Sequence, residues 1–142
     1  DPKKKMVFNP KESVELQGNT GPFIQYTHAR ISSMIAKAEK DTAWFSTTGI
    51  DIVLNRREKE LLRSLHEFPD VIEEAANNYS PALVANYVYE VAKQYNQFYH
   101  DHSVLNEEEE SKRNFRIRLS YKVKEVIKSA MGLLCIEVPE RM

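Results

Sequence analysis

Glycine, proline and cysteine are all scarce in this chain, and each scarcity excludes something. Four glycines and six prolines in 142 residues leave few forced breaks, which favours long helices. A single cysteine, Cys135, excludes a disulfide framework and a multi-cysteine zinc site, and it fits a reducing compartment. No apolar run approaches the roughly 20 residues that a membrane-spanning helix needs, and the first residues do not read as a signal peptide. Neither sign of charge dominates: 20 Lys and Arg stand against 21 Asp and Glu, a net charge of −1. No glycine-rich phosphate loop and no nucleophile-elbow motif occur. His100 and His102 lie two apart, so on a helix they point to different sides and make a poor pair for one metal. By its own residues the chain does not read as an enzyme.

What is present is helical periodicity. With 42% hydrophobic and 29% charged residues, the composition is that of an ordinary globular domain of this size. Asn9-Pro10 reads as a helix start running to about Gln17 and ending at Gly18. A second helix follows Thr20-Gly21-Pro22, with Phe23, Thr27, Ile31, Met34, Ile35 and Ala38 on one stripe to about Lys40. Residues Asp41 to Ile52 lack a helical period and read as a loop, with Trp44 and Phe45 packing back onto the core. Asn55 caps a helix to about Glu67 with Leu61, Leu62 and Leu65 inward. Phe68-Pro69 breaks it and starts another, which carries Val71, Ile72, Ala75 and Ala76 to about Asn78. Ser80-Pro81 opens a helix to about His102, on the stripe Val84, Tyr87, Val88, Val91, Tyr95 and Phe98. Asn106 is expected to cap the last helix, placing Glu107 to Glu110 in its first turn where the helix dipole favours them. Its stripe is Phe115, Leu119, Val123, Val126, Ile127, Ala130 and Met131, and Gly132 ends it. The expectation is an all-α bundle of about five to six helices with antiparallel neighbours.

Charge and aromatic residues are distributed unevenly. The acidic block Glu107 to Glu110 is followed by Lys112, Arg113, Arg116, Arg118, Lys122, Lys124 and Lys128, opposed only by Glu125. A near-neutral chain can thus present one basic face, although such runs also make ordinary solvated helix faces. Tyr87, Tyr89, Tyr95, Tyr99 and Tyr121 crowd two helices; Tyr87 and Tyr95 fall on the core stripe, whereas Tyr99 lies at a helix end beside His100 and His102. Rings that stack splayed bases, next to cations that hold phosphates, are how single-stranded RNA loops are gripped.

Four segments together resemble the C-terminal part of arginyl-tRNA synthetases. Asn19-Thr20-Gly21-Pro22-Phe23-Ile24-Gln25-Tyr26-Thr27-His28-Ala29-Arg30-Ile31 is similar to the stretch that follows their catalytic nucleotide-binding fold. Asn86 to Ala92 with Phe98-Tyr99 resembles the penultimate helix of their DALR-type anticodon-binding domain, and Arg116-Ile117-Arg118-Leu119 the last helix. Leu133-Leu134-Cys135-Ile136 and Pro139-Glu140-Arg141-Met142 resemble their tail. The chain departs from the family pattern at Thr27, usually a small apolar residue, and at Cys135, usually glycine.

The resemblance implies a junction segment over residues 1–40, an anticodon-binding bundle over 41–142, and a class I catalytic domain in cis upstream of Asp1. It implies an arginine tRNA as partner, a cytoplasmic setting, and neither a membrane nor DNA as partner. The two class I signature motifs are absent from the chain, so ATP and Mg²⁺ would belong to the catalytic portion of the intact ligase and no cofactor to this part. Carried over by position, Tyr99 and Met142 form stacking and apolar walls for a loop base, between the penultimate helix, the last helix and the tail. Arg116 and Arg141 are expected to contact phosphate or support the tail. Tyr26, His28 and Arg30 are expected at the junction, away from the anticodon, with His28 and Arg30 bracing the packing. A helical protein–protein interaction module without an RNA role is the alternative, on the strength of the near-neutral charge and the tyrosine surface.

Overall fold

The computed structural model describes residues 9–16, 18–38 and 52–142. The lead-in over residues 1–8 and the loop with Trp44 and Phe45 lie outside the described residues, as does the boundary expected between residues 40 and 41. Six helices follow in order, and no strand occurs among the described residues.

Local chemistry sets most helix ends. The single turn α1 (Pro10–Ser13) starts where Asn9 Oδ1 accepts the Lys11 N–H at 3.1 Å, and it stops short of Gln17. Helix α2 (Gly21–Ala38) starts where Thr20 Oγ1 accepts the Phe23 N–H at 3.3 Å. Helix α3 (Arg56–His66) carries a reciprocal cap: Asn55 accepts the Glu58 N–H at 2.9 Å, and the Glu58 carboxylate accepts the Asn55 N–H at 2.8 Å. Helix α4 (Phe68–Asn77) begins after Glu67, the one residue between it and α3, so Phe68-Pro69 starts a new helix as expected. Counted with α3 and α4 as one nearly continuous segment, the long helices number four, slightly below the five to six expected.

Two starts differ from expectation. Ser80 precedes α5 (Pro81–Asp101) but makes no side-chain cap. Helix α6 (Glu110–Leu133) begins after Glu109, not Asn106, so only Glu110 stands in its first turn. The reason is competition. The Asn106 N–H is taken by Ser103 Oγ at 3.2 Å, and the Glu107 carboxylate accepts from Arg116 at 2.6 Å, which holds residues 103–107 in a folded connection.

Helix α5 is the central element, packed against α2, α3, α4 and α6. Val88, Val91, Ala92, Tyr95 and Phe98 of α5 are buried with Ile31 and Met34 of α2, Leu61 of α3, and Val123, Ile127 and Met131 of α6. Leu62, expected inward, is exposed, because Leu61 and Leu65 already define the inner face of α3. Tyr87 is structural: its hydroxyl donates to Ser64 O at 2.7 Å and its ring stacks on Phe68 at 5.5 Å. Cross-contacts give the directions. Phe23 meets Tyr89 and Thr27 meets Asn96, so α2 runs parallel to α5. Ser64 meets Tyr87 and Arg57 meets Gln97, so α3 runs antiparallel to it.

An ion network closes the end of the bundle where α5 finishes. Arg116, only 3% exposed, donates to the fully buried Glu58 carboxylate at 2.8 Å, to Glu107 at 2.6 Å and to Ser103 O at 2.8 Å. It joins α3, the α5–α6 connection and α6. Arg113 adds a bond to Glu107 O at 3.0 Å.

At the other end, α6 stops in a left-handed turn. Cys135 N–H donates to Gly132 O at 3.0 Å and Ile136 N–H to Met131 O at 2.9 Å, with Cys135 at φ 58°. This is the paired-bond helix stop in which glycine normally occupies the left-handed position. It accounts for the family preference that Cys135 breaks.

Two outcomes are expected. Cys135→Gly should stabilise the chain by about 0.5–1 kcal/mol, since the left-handed conformation costs a residue with a Cβ roughly 1–2 kcal/mol and glycine's unfolded-state entropy returns part of that. A raised denaturant midpoint with unchanged slope checks it. Arg116→Ala should destabilise by about 3–5 kcal/mol, because it strands a buried carboxylate; denaturation, with Glu58→Gln closing a double-mutant cycle, measures the coupling.

Candidate nucleic-acid interface

The candidate site is built on one face of α2. Spacings of three and four place Tyr26, Arg30, Ser33 and Lys37 along a single outward edge. That edge, with Ala29 and Met34, faces Tyr99 near the end of α5, Leu105 of the connection and Met142 of the tail. These residues enclose a pocket of about 240 Å³.

The cation at its centre is held in place. Arg30 lies over the Tyr26 ring at 4.8 Å and over the Tyr99 ring at 5.6 Å. Its Nη1 donates to Asn96 Oδ1 at 2.7 Å, and Asn96 Nδ2 donates to Thr27 Oγ1 at 2.7 Å. The Thr27 hydroxyl donates to Phe23 O at 2.9 Å. The threonine that departs from the family pattern is therefore a satisfied buried polar group, which orients Asn96 and through it Arg30. Two rings, two thioethers and a fixed guanidinium suit a flat heterocycle with polar edges, because apolar faces take its plane while Arg30, Lys37 and Ser33 meet its rim.

The tail forms the last wall because it is clamped along α2. Gln25 Nε2 donates to Glu137 O at 2.8 Å. His28, fully buried, donates from Nδ1 to Pro139 O at 2.9 Å. Lys124 of α6 donates to the Glu140 carboxylate at 2.8 Å, which holds its pKa down to about 2. Burial holds His28 below the usual histidine value of 6.5, partly opposed by the bond to Pro139 O, and its Nε2 has no hydrogen-bond partner among the described residues. A second proton on this ring would have no acceptor.

The structure rearranges the sequence-derived set. Tyr99 and Met142 do share a pocket. Tyr26 and Arg30, expected at a junction away from it, stand in the same pocket, because α2 runs parallel to α5 and carries them to its far end. The pocket's third wall is α2; α6 contributes no lining residue. His28 braces the tail from beneath rather than facing the pocket. Arg116 does not face a phosphate: it is buried and engaged by Glu58, Glu107 and Ser103. Arg141 is exposed and lies outside the pocket lining. Sequence reasoning missed Asn96, Ser33, Lys37 and Leu105. Asn96, a polar residue beside the apolar stripe of α5, was the one with a visible signal.

Residues 24–142 match the DALR anticodon binding domain family. The chain belongs to that family. It is 54% identical, over its whole length, to the arginine–tRNA ligase of Flavobacterium psychrophilum, of which it covers 23%. It is 49% identical to that of Parabacteroides distasonis, covering 24%. Among solved structures it superposes on Thermus thermophilus arginyl-tRNA synthetase with a TM-score of 0.86 at 29% identity, over 99% of this chain and 24% of that one. The Plasmodium falciparum arginyl-tRNA synthetase gives 0.76 at 26% identity, over 95% and 23%. The chain thus spans about a quarter of the curated relatives it matches, their C-terminal part. Membership of this DALR family lends nothing to the alternative of an interaction module without RNA. Among the described residues, no helix is long and apolar enough to cross a membrane.

The clamp should weaken in mild acid. The unfolded chain takes up a proton near pH 6.5 that folded His28 refuses, so stability rises with pH across the window just below that value and falls as pH drops through it. The protection factor of the Ile136 amide, with the intrinsic pH dependence of exchange divided out, should therefore fall below about pH 6.5, and a His28→Gln variant should lose this pH dependence.

Proposed function

We propose that this DALR domain holds the anticodon stem-loop of an arginine tRNA, as the C-terminal part of an arginine–tRNA ligase. The observation that carries the reading is the convergence of Tyr26, Arg30, Tyr99 and Met142 on one pocket, in a chain of an anticodon-binding family. An unstacked loop base would lie between the rings, with its polar edge toward Arg30 and Lys37, as single-stranded RNA is commonly read. The clamped tail supplies Met142 as an apolar wall, 65% exposed.

The intact ligase, on this reading, attaches arginine to its tRNA using ATP in a cytoplasmic setting, with a class I catalytic domain in cis. The residues present here do not fit ATP or Mg²⁺. There is no glycine-rich phosphate loop, and among the described residues no group of three His, Cys, Asp or Glu side chains is placed to hold a metal. Both are assigned to the catalytic portion outside this chain.

Binding of the 142-residue chain to an arginine tRNA transcript should fall with salt, with a log–log slope of roughly −0.7 to −0.9 per phosphate contact. Tyr99→Ala should weaken it by about 1–3 kcal/mol if a base stacks there, with little change in that slope. A folded Tyr99→Ala variant with unchanged affinity would remove Tyr99 from the site.

A further inference from the structure

Outside the pocket, the strongest unassigned feature is on α3. Arg56, Lys59 and Arg63 recur at spacings of three and four on its outward face and, with Glu60, line a shallow depression of about 350 Å³. A solvated helix face normally alternates signs so that each cation has a carboxylate a turn away. Here Glu60 is shared by Arg56 at 2.7 Å and Arg57 at 3.4 Å. Lys59 and Arg63 are in ion-pair contact with no carboxylate among the described residues. The α6 run that looked more basic in the sequence is partly consumed internally, by the bonds of Arg113, Arg116 and Lys124.

The stripe begins at the same end of the bundle as the pocket. Arg57 reaches Asp101 at 3.5 Å and Gln97 at 3.3 Å, which fixes the first turn of α3 beside the end of α5 that carries Tyr99. From there the stripe descends along α3 for about 10 Å at 1.5 Å per residue. Lysine and arginine cations over that length can face a phosphate backbone, and the two arginines bring planar guanidinium forks suited to phosphate oxygens.

We infer that the Arg56–Lys59–Arg63 stripe is a second, sequence-independent RNA contact, holding the phosphate backbone of the stem while the pocket takes a base of the loop. This rests on the reading of the domain as an RNA binder. It divides the work: the stripe sets register and salt dependence, and the pocket sets discrimination.

The test is a salt titration of the 142-residue chain and of Arg56→Gln/Lys59→Gln/Arg63→Gln, against an arginine tRNA transcript and against the same transcript with a replaced anticodon loop. A second variant, Lys93→Gln/Lys122→Gln/Lys128→Gln, removes as much charge elsewhere. The expected result is a slope shallower by roughly 0.7–0.9 per lost contact in the α3 variant. Its affinity should fall by the same factor for both transcripts, and the second variant should change less. Circular dichroism establishes that all variants are folded. An unchanged slope in the α3 variant overturns the stripe while leaving the pocket reading intact, and leaves those cations to a protein partner. An equal change in the second variant also overturns it, as an effect of net charge alone. Absence of binding by the parent chain overturns both readings.

Discussion

The bundle depends on a charge that has nowhere else to go. Arg116 sits in the interior at the start of α6, and a guanidinium cannot lose its proton to escape desolvation. It must be matched, and the matching dictates geometry: Glu58 from α3, Glu107 and Ser103 O from the connection. Glu58 also closes the reciprocal cap that starts α3. The same contacts fold residues 103–107 into the position that buries Val104 and points Leu105 at the pocket. A polar network of this kind contributes little to net stability compared with a well-packed apolar substitute, but it tolerates few alternative arrangements. Its contribution is to tie α3, the α5–α6 connection and α6 together at one point.

The tail is the counterpart at the other side of the site. Five residues past the end of α6 the chain would ordinarily fray. Instead the left-handed turn at Cys135 reverses it, and Gln25, His28 and Lys124 take hold of Glu137, Pro139 and Glu140 in turn. Two of these grips respond to acid in different ranges. Burial disfavours a second proton on His28, so the stability it lends falls as pH drops below the usual histidine value, whereas the carboxylate of Glu140, with its pKa held near 2 by Lys124, stays ionised far lower. The clamp therefore loosens one contact at a time.

The helices were legible because their stripes are long and their caps are chemical. The α5 stripe from Val84 to Phe98 and the Asn55 start of α3 follow from spacing and from one side-chain oxygen. The α6 start was not legible: Glu107 to Glu110 suits a helix dipole, but the stronger demand of buried Arg116 takes Glu107 out of the helix. The same buried pairing made Arg116 a misleading candidate for phosphate contact, since charge is visible in a sequence and burial of charge is not. Tyr99 and Met142 were legible by resemblance. Their meeting with Tyr26 and Arg30 was not, because it depends on α2 running parallel to α5, a fact carried by packing rather than by any local pattern.

A net charge of −1 is no obstacle to a polyanionic partner once the cations are sorted by what they already touch. Arg116 is spent on the core and Lys124 on the tail, while Arg30 is held by Asn96 in the lining of the pocket. Lys59 and Arg63 stand exposed with no carboxylate in contact among the described residues. At physiological salt the Debye length is about 8 Å, so a partner's phosphate senses the nearest helix face and very little of the opposite one. Local pairing, not the total, is therefore what decides which face of this bundle is electropositive.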